Sequence, residues 1–260
     1  MDFSHPLASD SCMANLEILR HQDSRTRSKF HHWDYTYLHS TTSSFIKTYT
    51  IMKARLHLLT ILLLLCLTSH ISAQCPSGNI SFNSQAELDA FAAEFPNCTE
   101  IAGFLHIGGS DITDLSPLQN ITRIGDYFTI HNNAVLTNLS DLGGLQSIEG
   151  YLSIEHNNQL SSLQGLENLT KIGEYLRISN NNALVNFNGL EGLQSLEGYL
   201  SIEHNNQLSS IKGLQNITQI GGNLSIKNNN ALINLTGLEG LQSITGFLEI
   251  VENVQLSSIQ

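Results

Sequence analysis

Apolar residues recur along most of this chain on a fixed beat. From Gly125 the sequence stacks in rows of 24: "GDYFTIHNNAVLTNLSDLGGLQSI" from Gly125, "EGYLSIEHNNQLSSLQGLENLTKI" from Glu149, "GEYLRISNNNALVNFNGLEGLQSL" from Gly173, "EGYLSIEHNNQLSSIKGLQNITQI" from Glu197 and "GGNLSIKNNNALINLTGLEGLQSI" from Gly221. A row of 23, "AGFLHIGGSDITDLSPLQNITRI" from Ala102, precedes them, and "TGFLEIVENVQLSSIQ" from Thr245 begins another. The words "EGYLSIEHNNQLSS" occur twice, 48 residues or two rows apart.

Seven apolar columns run down the complete rows. Seven apolar side chains per row cannot close a core alone, but stacked rows bury one another continuously. "YLSI" alternates outward and inward, with Leu152 and Ile154 on one side, which is strand periodicity. The remaining apolar residues fall every third position, Leu160, Leu163, Leu166, Leu169 and Ile172, which suits short extended arcs and turns. Gly165, Gly189, Gly213 and Gly237 recur where the coil must bend, a role glycine fills at low steric cost. The pattern predicts an all-β solenoid, a right-handed single-stranded parallel β-helix of 24-residue leucine-rich coils. Its rungs lie about 4.8 Å apart.

One polar column does not vary: Asn133, Asn157, Asn181, Asn205, Asn229 and Asn253. Such an asparagine can turn inward, tolerate a left-handed conformation and bond backbone groups above and below. A structural asparagine ladder is expected. Ahead of the rows, Ser84 and Glu87 form an S-x-x-E capping box, and Leu88, Phe91, Ala92 and Phe95 share a helical face. A short helix should lid the first coil. No such lid follows the last row, so the solenoid over 102–260 is expected to be truncated at its C-terminus.

Composition divides the chain at about residue 73. Residues 1–73 carry a formal charge of +2 and residues 74–260 one of −13. So acidic a surface argues against nucleic acid or anionic membrane as partner. "MKARLHLLTILLLLCLTSHISAQC" explains the break: Lys53 and Arg55, an apolar run from Leu56, then small residues up to Ala73. This is the layout of a signal peptide over 52–73, and its apolar run is short for a membrane span of roughly 20 residues. Residues 1–51 then read as a mis-assigned or disordered extension, with a cytoplasmic tail before an uncleaved signal anchor as the alternative. Cys12 and Cys66 precede the cleavage point. In an exported chain a Cys75–Cys98 disulfide, closing a cap over 74–101, is the default.

The rows resemble the receptor L domain family. The pattern L-x-I-x-x-N-x-x-L-x-x-L-x-G-L-x-x-L-x-x-I is met by Leu152, Ile154, Asn157, Leu160, Leu163, Gly165, Leu166, Leu169 and Ile172, and by their equivalents. "CPSGNISFNSQAELDAFAAEFPNCTEIAGFLHIGG" looks like the N-terminal cap of secreted bacterial members. The resemblance covers 74–260 and implies an exported β-helix, often at a cell surface. In animal receptors such domains bind growth factors or insulin-like ligands; no kinase or cysteine-rich region accompanies these rows, so that role does not carry over.

Catalytic signatures are missing: there is no G-x-S-x-G, phosphate loop or H-E-x-x-H. His156 and His204 share a column two rungs apart, too far for one metal, and Glu155 and Glu203 share another at about 10 Å, beyond an inverting glycosidase pair. No catalytic residue, metal or cofactor is expected. Outward on the strand, Tyr127, Tyr151, Tyr175, Tyr199 and Phe247 form an aromatic strip with Arg177 beside it. It reads either as a docking surface or as rings stacked to stiffen the sheet. Eight N-x-S/T sequons start at Asn79, Asn97, Asn120, Asn138, Asn168, Asn216, Asn223 and Asn234. The expectation is a secreted or cell-surface binding scaffold for an extracellular protein or glycan. It meets membrane only through a missing C-terminal anchor or an uncleaved signal. The alternatives are a stalk or a polysaccharide-active β-helix enzyme.

Overall fold

Every complete row folds as one coil whose long strand pairs, in register, with the coils on either side. The structure is a computed structural model. It describes residues 75–258 and, in a separate unit, helical residues 49, 51–53 and 55–57. The expected extension and signal peptide lie almost wholly outside the described residues.

The chain opens with β1 (Ile80–Phe82), α1 (Gln85–Glu94) and the two-residue β2 (Glu100–Ile101). Long and short strands then alternate. The long ones are β3 (Leu105–Ile107), β5 (Phe128–His131), β7 (Leu152–Glu155), β9 (Leu176–Ser179), β11 (Leu200–Glu203), β13 (Leu224–Lys227) and β15 (Leu248–Val251). The short ones are β4 (Arg123–Ile124), β6 (Ser147–Ile148), β8 (Lys171–Ile172), β10 (Ser195–Leu196), β12 (Gln219–Ile220) and β14 (Ser243–Ile244). The long strands form an eight-stranded parallel sheet from β1 to β15. The short ones add a second face, as a four-stranded and a three-stranded sheet. The architecture is a parallel β-solenoid. It adds two features to the expected coil: a short second strand per rung, and a first rung supplied by the cap itself.

The apolar columns fill the interior. Leu152, Ile154, Leu160, Leu163, Leu166 and Leu169 are all fully buried, as are their counterparts in the next two coils. Each such side chain contributes about 1.5–3 kcal/mol relative to exposure. Burying the polar backbone of the corners is the opposing cost, and the asparagine column meets it. Asn181 Oδ1 accepts from the Asn157 backbone N–H at 3.1 Å, and its Nδ2 donates to the Ile154 carbonyl at 2.8 Å. Asn133, Asn157, Asn205, Asn229 and Asn253 repeat both contacts with the rung before them. Asn133 to Asn229 are completely buried.

The left-handed residue is not the ladder asparagine but the one before it. Asn132, His156, Asn180, His204, Asn228 and Glu252 all have φ of 55–58°. The ladder side chain must point inward, so the turn that aims it is made one position earlier. The row of 23 shows the same division of labour. Ile107 pairs with Ile130, 23 residues on, whereas the Gly109 N–H reaches Asn133 Oδ1, 24 residues on. The missing residue of that row is therefore the left-handed one.

At the opposite bend, Gly189 has φ of 114°, and a Cβ there would strike the Leu163 carbonyl of the rung before. Glu191 holds this turn by accepting from the Gly189 N–H at 2.8 Å, and Glu167, Gln215 and Glu239 do the same for Gly165, Gly213 and Gly237. The two earlier coils have no glycine here and use 3-10 turns, Ser116–Leu118 and Ser140–Leu142.

Helix α1 starts as its capping residues require. Ser84 Oγ accepts from the Glu87 N–H, while the Glu87 carboxylate reaches back to the Asn83 N–H at 2.7 Å, one residue beyond the usual partner. Leu88 and Phe91 are buried, and Phe91 meets Phe82 of β1 edge to face at 5.3 Å. The Cys75–Cys98 disulfide, with Cα atoms 4.9 Å apart, ties the entry of this cap to its exit.

Two measurements check these assignments. Asn181→Leu keeps the volume but strands a buried N–H and a buried carbonyl, so urea unfolding should show a loss of about 2–6 kcal/mol. Asn182→Leu, in a solvent-facing position, should cost far less. Removing the disulfide by Cys75→Ser with Cys98→Ser should lower stability by about 3 kcal/mol, from the loop it closes.

Candidate binding face of the long sheet

Residues between the buried Leu and Ile columns face outward in three parallel files, because side chains alternate along a strand. The files inherit the rung spacing, so like residues stand directly above one another.

The aromatic file is one continuous stack. Phe104, Tyr127, Tyr151, Tyr175 and Tyr199 follow one another with ring centroids 4.2–4.7 Å apart and planes within 10°. Each inner ring thus spends both faces on its neighbours, and the file offers ring edges and hydroxyls. The stacking expected to stiffen the sheet is present along this one file. Burial, with the neighbouring Tyr127, raises the Tyr151 phenol pKa; burial, with Tyr199 and Tyr151, pushes Tyr175 still higher. Phe104 lies in the same column of the 23-residue row, and aligning that row reveals it. Phe247 does not join the stack; Asn223 stands between it and Tyr199, and Phe247 is 58% exposed.

The middle file holds His106, Thr129, Ser153, Arg177, Ser201, Ser225 and Glu249 in register. Ser153 and Ser201 are buried on either side of Arg177. Arg177 Nε lies 3.5 Å from Glu155 Oε2, close enough for an ion pair but outside hydrogen-bond geometry. It is the buried side-chain nitrogen among the described residues with no hydrogen-bond partner.

The third file carries His131, Glu155, Ser179, Glu203, Lys227 and Val251. Glu155 accepts from the hydroxyls of Ser153 and Ser179 and faces Arg177. Glu203 accepts from Ser225, and Lys227 pairs with Glu249 at 2.7 Å. Glu155 and Glu203 are therefore held separately, each by its own neighbours.

Two groupings escaped the linear reading. His106 and His131 sit diagonally on adjacent strands with ring centroids 4.2 Å apart. Burial, then His131, lowers the His106 pKa, and its Nδ1 meets Thr129 Oγ1 at 2.7 Å. Among the described residues no group of three or more His, Cys, Asp or Glu could hold a metal. A second asparagine ladder runs in solvent beside the buried one: Asn158, Asn182, Asn206 and Asn230 link amide to amide at 2.7–3.0 Å. On the opposite sheet Glu149 bridges Arg123 and Lys171, which together hold its pKa below the usual range.

Fold and face together define a leucine-rich β-solenoid with a patterned outer sheet. The family model described as Receptor L domain matches residues 97–150, from the exit of the cap through the first two complete coils, and that stretch is similar to the family. Comparison with curated proteins and with solved structures gave no match.

The raised phenol pKa values have a measurable consequence. Below about pH 10 the tyrosines are neutral in the folded and the unfolded chain alike. Above it the unfolded chain releases its protons first, so stability should fall as pH rises. Tyr175→Phe should make that fall shallower in urea titrations between about pH 8 and 11.

Proposed function

We propose that the protein is an exported, non-catalytic binding scaffold that recognises an extracellular protein or glycan through the outer face of the long sheet. The observation that carries this reading is Arg177. It stands at the centre of the face, flanked by small buried serines and bordered by tyrosine edges, with a guanidinium nitrogen that lacks an acceptor. The Arg177 side chain is 40% exposed, so a ligand oxygen can meet the guanidinium beyond its buried Nε, and the rigid rungs hold the surrounding groups in place without reorganisation, which favours affinity.

The receptor L-domain match and the Cys75–Cys98 disulfide fit export into an oxidising compartment. The expected signal at Met52 supplies the route. Glu155 and Glu203, two rungs apart, are each tied to neighbouring hydroxyls or to Arg177, which supports recognition over hydrolysis.

The test is a protein and glycan array probed with the purified chain, followed by titration of the best ligand. Arg177→Gln and Tyr175→Phe should each weaken binding, the first at least about tenfold, and the unfolding midpoint of the free variants separates lost contacts from lost folding. A ligand indifferent to both would place recognition elsewhere, and an array with no ligand would leave a spacer role.

A further inference from the structure

The aromatic stack stops one rung short of where the column would carry it. Tyr199, Asn223 and Phe247 occupy the same slot on three successive strands, just before the paired Leu200, Leu224 and Leu248. Tyr199 has Tyr175 against one face at 4.2 Å. No ring lies on its other face among the described residues. The next ring in the file, Phe247, is two rungs on, about 9–10 Å by strand spacing.

Asn223 does not fill the interval. Its Oδ1 curls along the sheet to accept from the Phe247 N–H at 3.0 Å. Its Nδ2 has no hydrogen bond in the described structure, and the residue is half-exposed. The interval thus has Tyr199 on one side and the exposed Phe247 on the other, with the Asn223 amide between them and the Lys227–Glu249 ion pair on the same two strands as Asn223 and Phe247. Its width is about two intervals of the existing stack, enough for one six-membered ring between two others. Asn79 bonds the Phe104 N–H in the same way at the far end of the stack, but no ring stands beyond it to make a second wall.

We infer that the gap between Tyr199 and Phe247 is a subsite for a single pyranose ring of a glycan, held between the two aromatic faces with a hydroxyl on Asn223 Nδ2. This rests on the reading that the long sheet's outer face recognises ligands, and it names the ligand class. A pyranose presents C–H groups on its flat faces and hydroxyls around its rim, matching apolar walls and a polar floor. An aromatic side chain of a partner protein would fit the walls equally but would cover the Asn223 amide without an acceptor, and an unmade hydrogen bond in a closed site is penalised. The uncharged ring also suits a surface where a net charge of −13 would repel acidic sugars.

The experiment titrates the purified full chain with the methyl glycosides of glucose, galactose and N-acetylglucosamine and with their β-1,4-linked di- and trisaccharides, by calorimetry and by proton NMR saturation transfer. Binding of at least one neutral sugar is expected, weak for the monomer and stronger for the oligomers. Phe247→Ala should weaken it at least about tenfold. Asn223→Tyr, which inserts a ring into the gap and completes the stack, should abolish it while raising the unfolding temperature, so loss of folding cannot explain the result. Lys171→Ala, on the other sheet and away from the gap, should leave sugar affinity within about twofold. Sugar binding that survives Asn223→Tyr overturns the subsite. So does failure of every sugar, or binding of aromatic peptides alone. A ligand from the array that is lost in Arg177→Gln but kept in Asn223→Tyr removes the slot and leaves the scaffold reading standing.

Discussion

A buried amide that must be satisfied is the constraint on which this molecule depends. Each coil turns a corner where backbone N–H and carbonyl groups leave the sheet and enter the interior. An unpaired group there costs about 1–3 kcal/mol. The ladder asparagine settles two such debts at once, taking an N–H and a carbonyl from the rung before. It can do so only if successive rungs superpose. The spacing of 24 is therefore as much a demand of hydrogen bonding as of apolar packing, and the long sheet's strict register follows from it.

Register then decides what the surface can be. Any outward position recurs one rung away, so single contacts become files: stacked tyrosines, linked asparagines, serines interspersed with charges. A file of rings protects its own faces and is recognisable mainly at its interruptions. Asn223 is such an interruption, and Arg177 interrupts the serine file in a similar way.

Much of the architecture was legible in the sequence because its cause is periodic. The apolar columns, the inward asparagine, the bend at Gly165 and its equivalents, and the capping helix each depend on local chemistry repeated many times. What was not legible depends on neighbours. The left-handed residue varies from His to Asn to Glu, since its backbone is set by the asparagine that follows, and no composition marks it. Strand β1 resembles no coil, and only its pairing with β3 makes it a rung. The contact of His106 with His131 crosses strands diagonally, and the one-residue deficit of the Ala102 row hides it from a column alignment.

That deficit has a consequence of its own. On one side of the corner the strands stay paired, and on the other the asparagine bond is kept, although the connecting segment is one residue shorter. The corner thus absorbs a change of length without shifting the core or either sheet. It is the position where a coil could accommodate an inserted loop, such as a grafted peptide epitope, since its flanks are pinned independently. That attachment point would sit at one end of the long sheet, beside the capping helix.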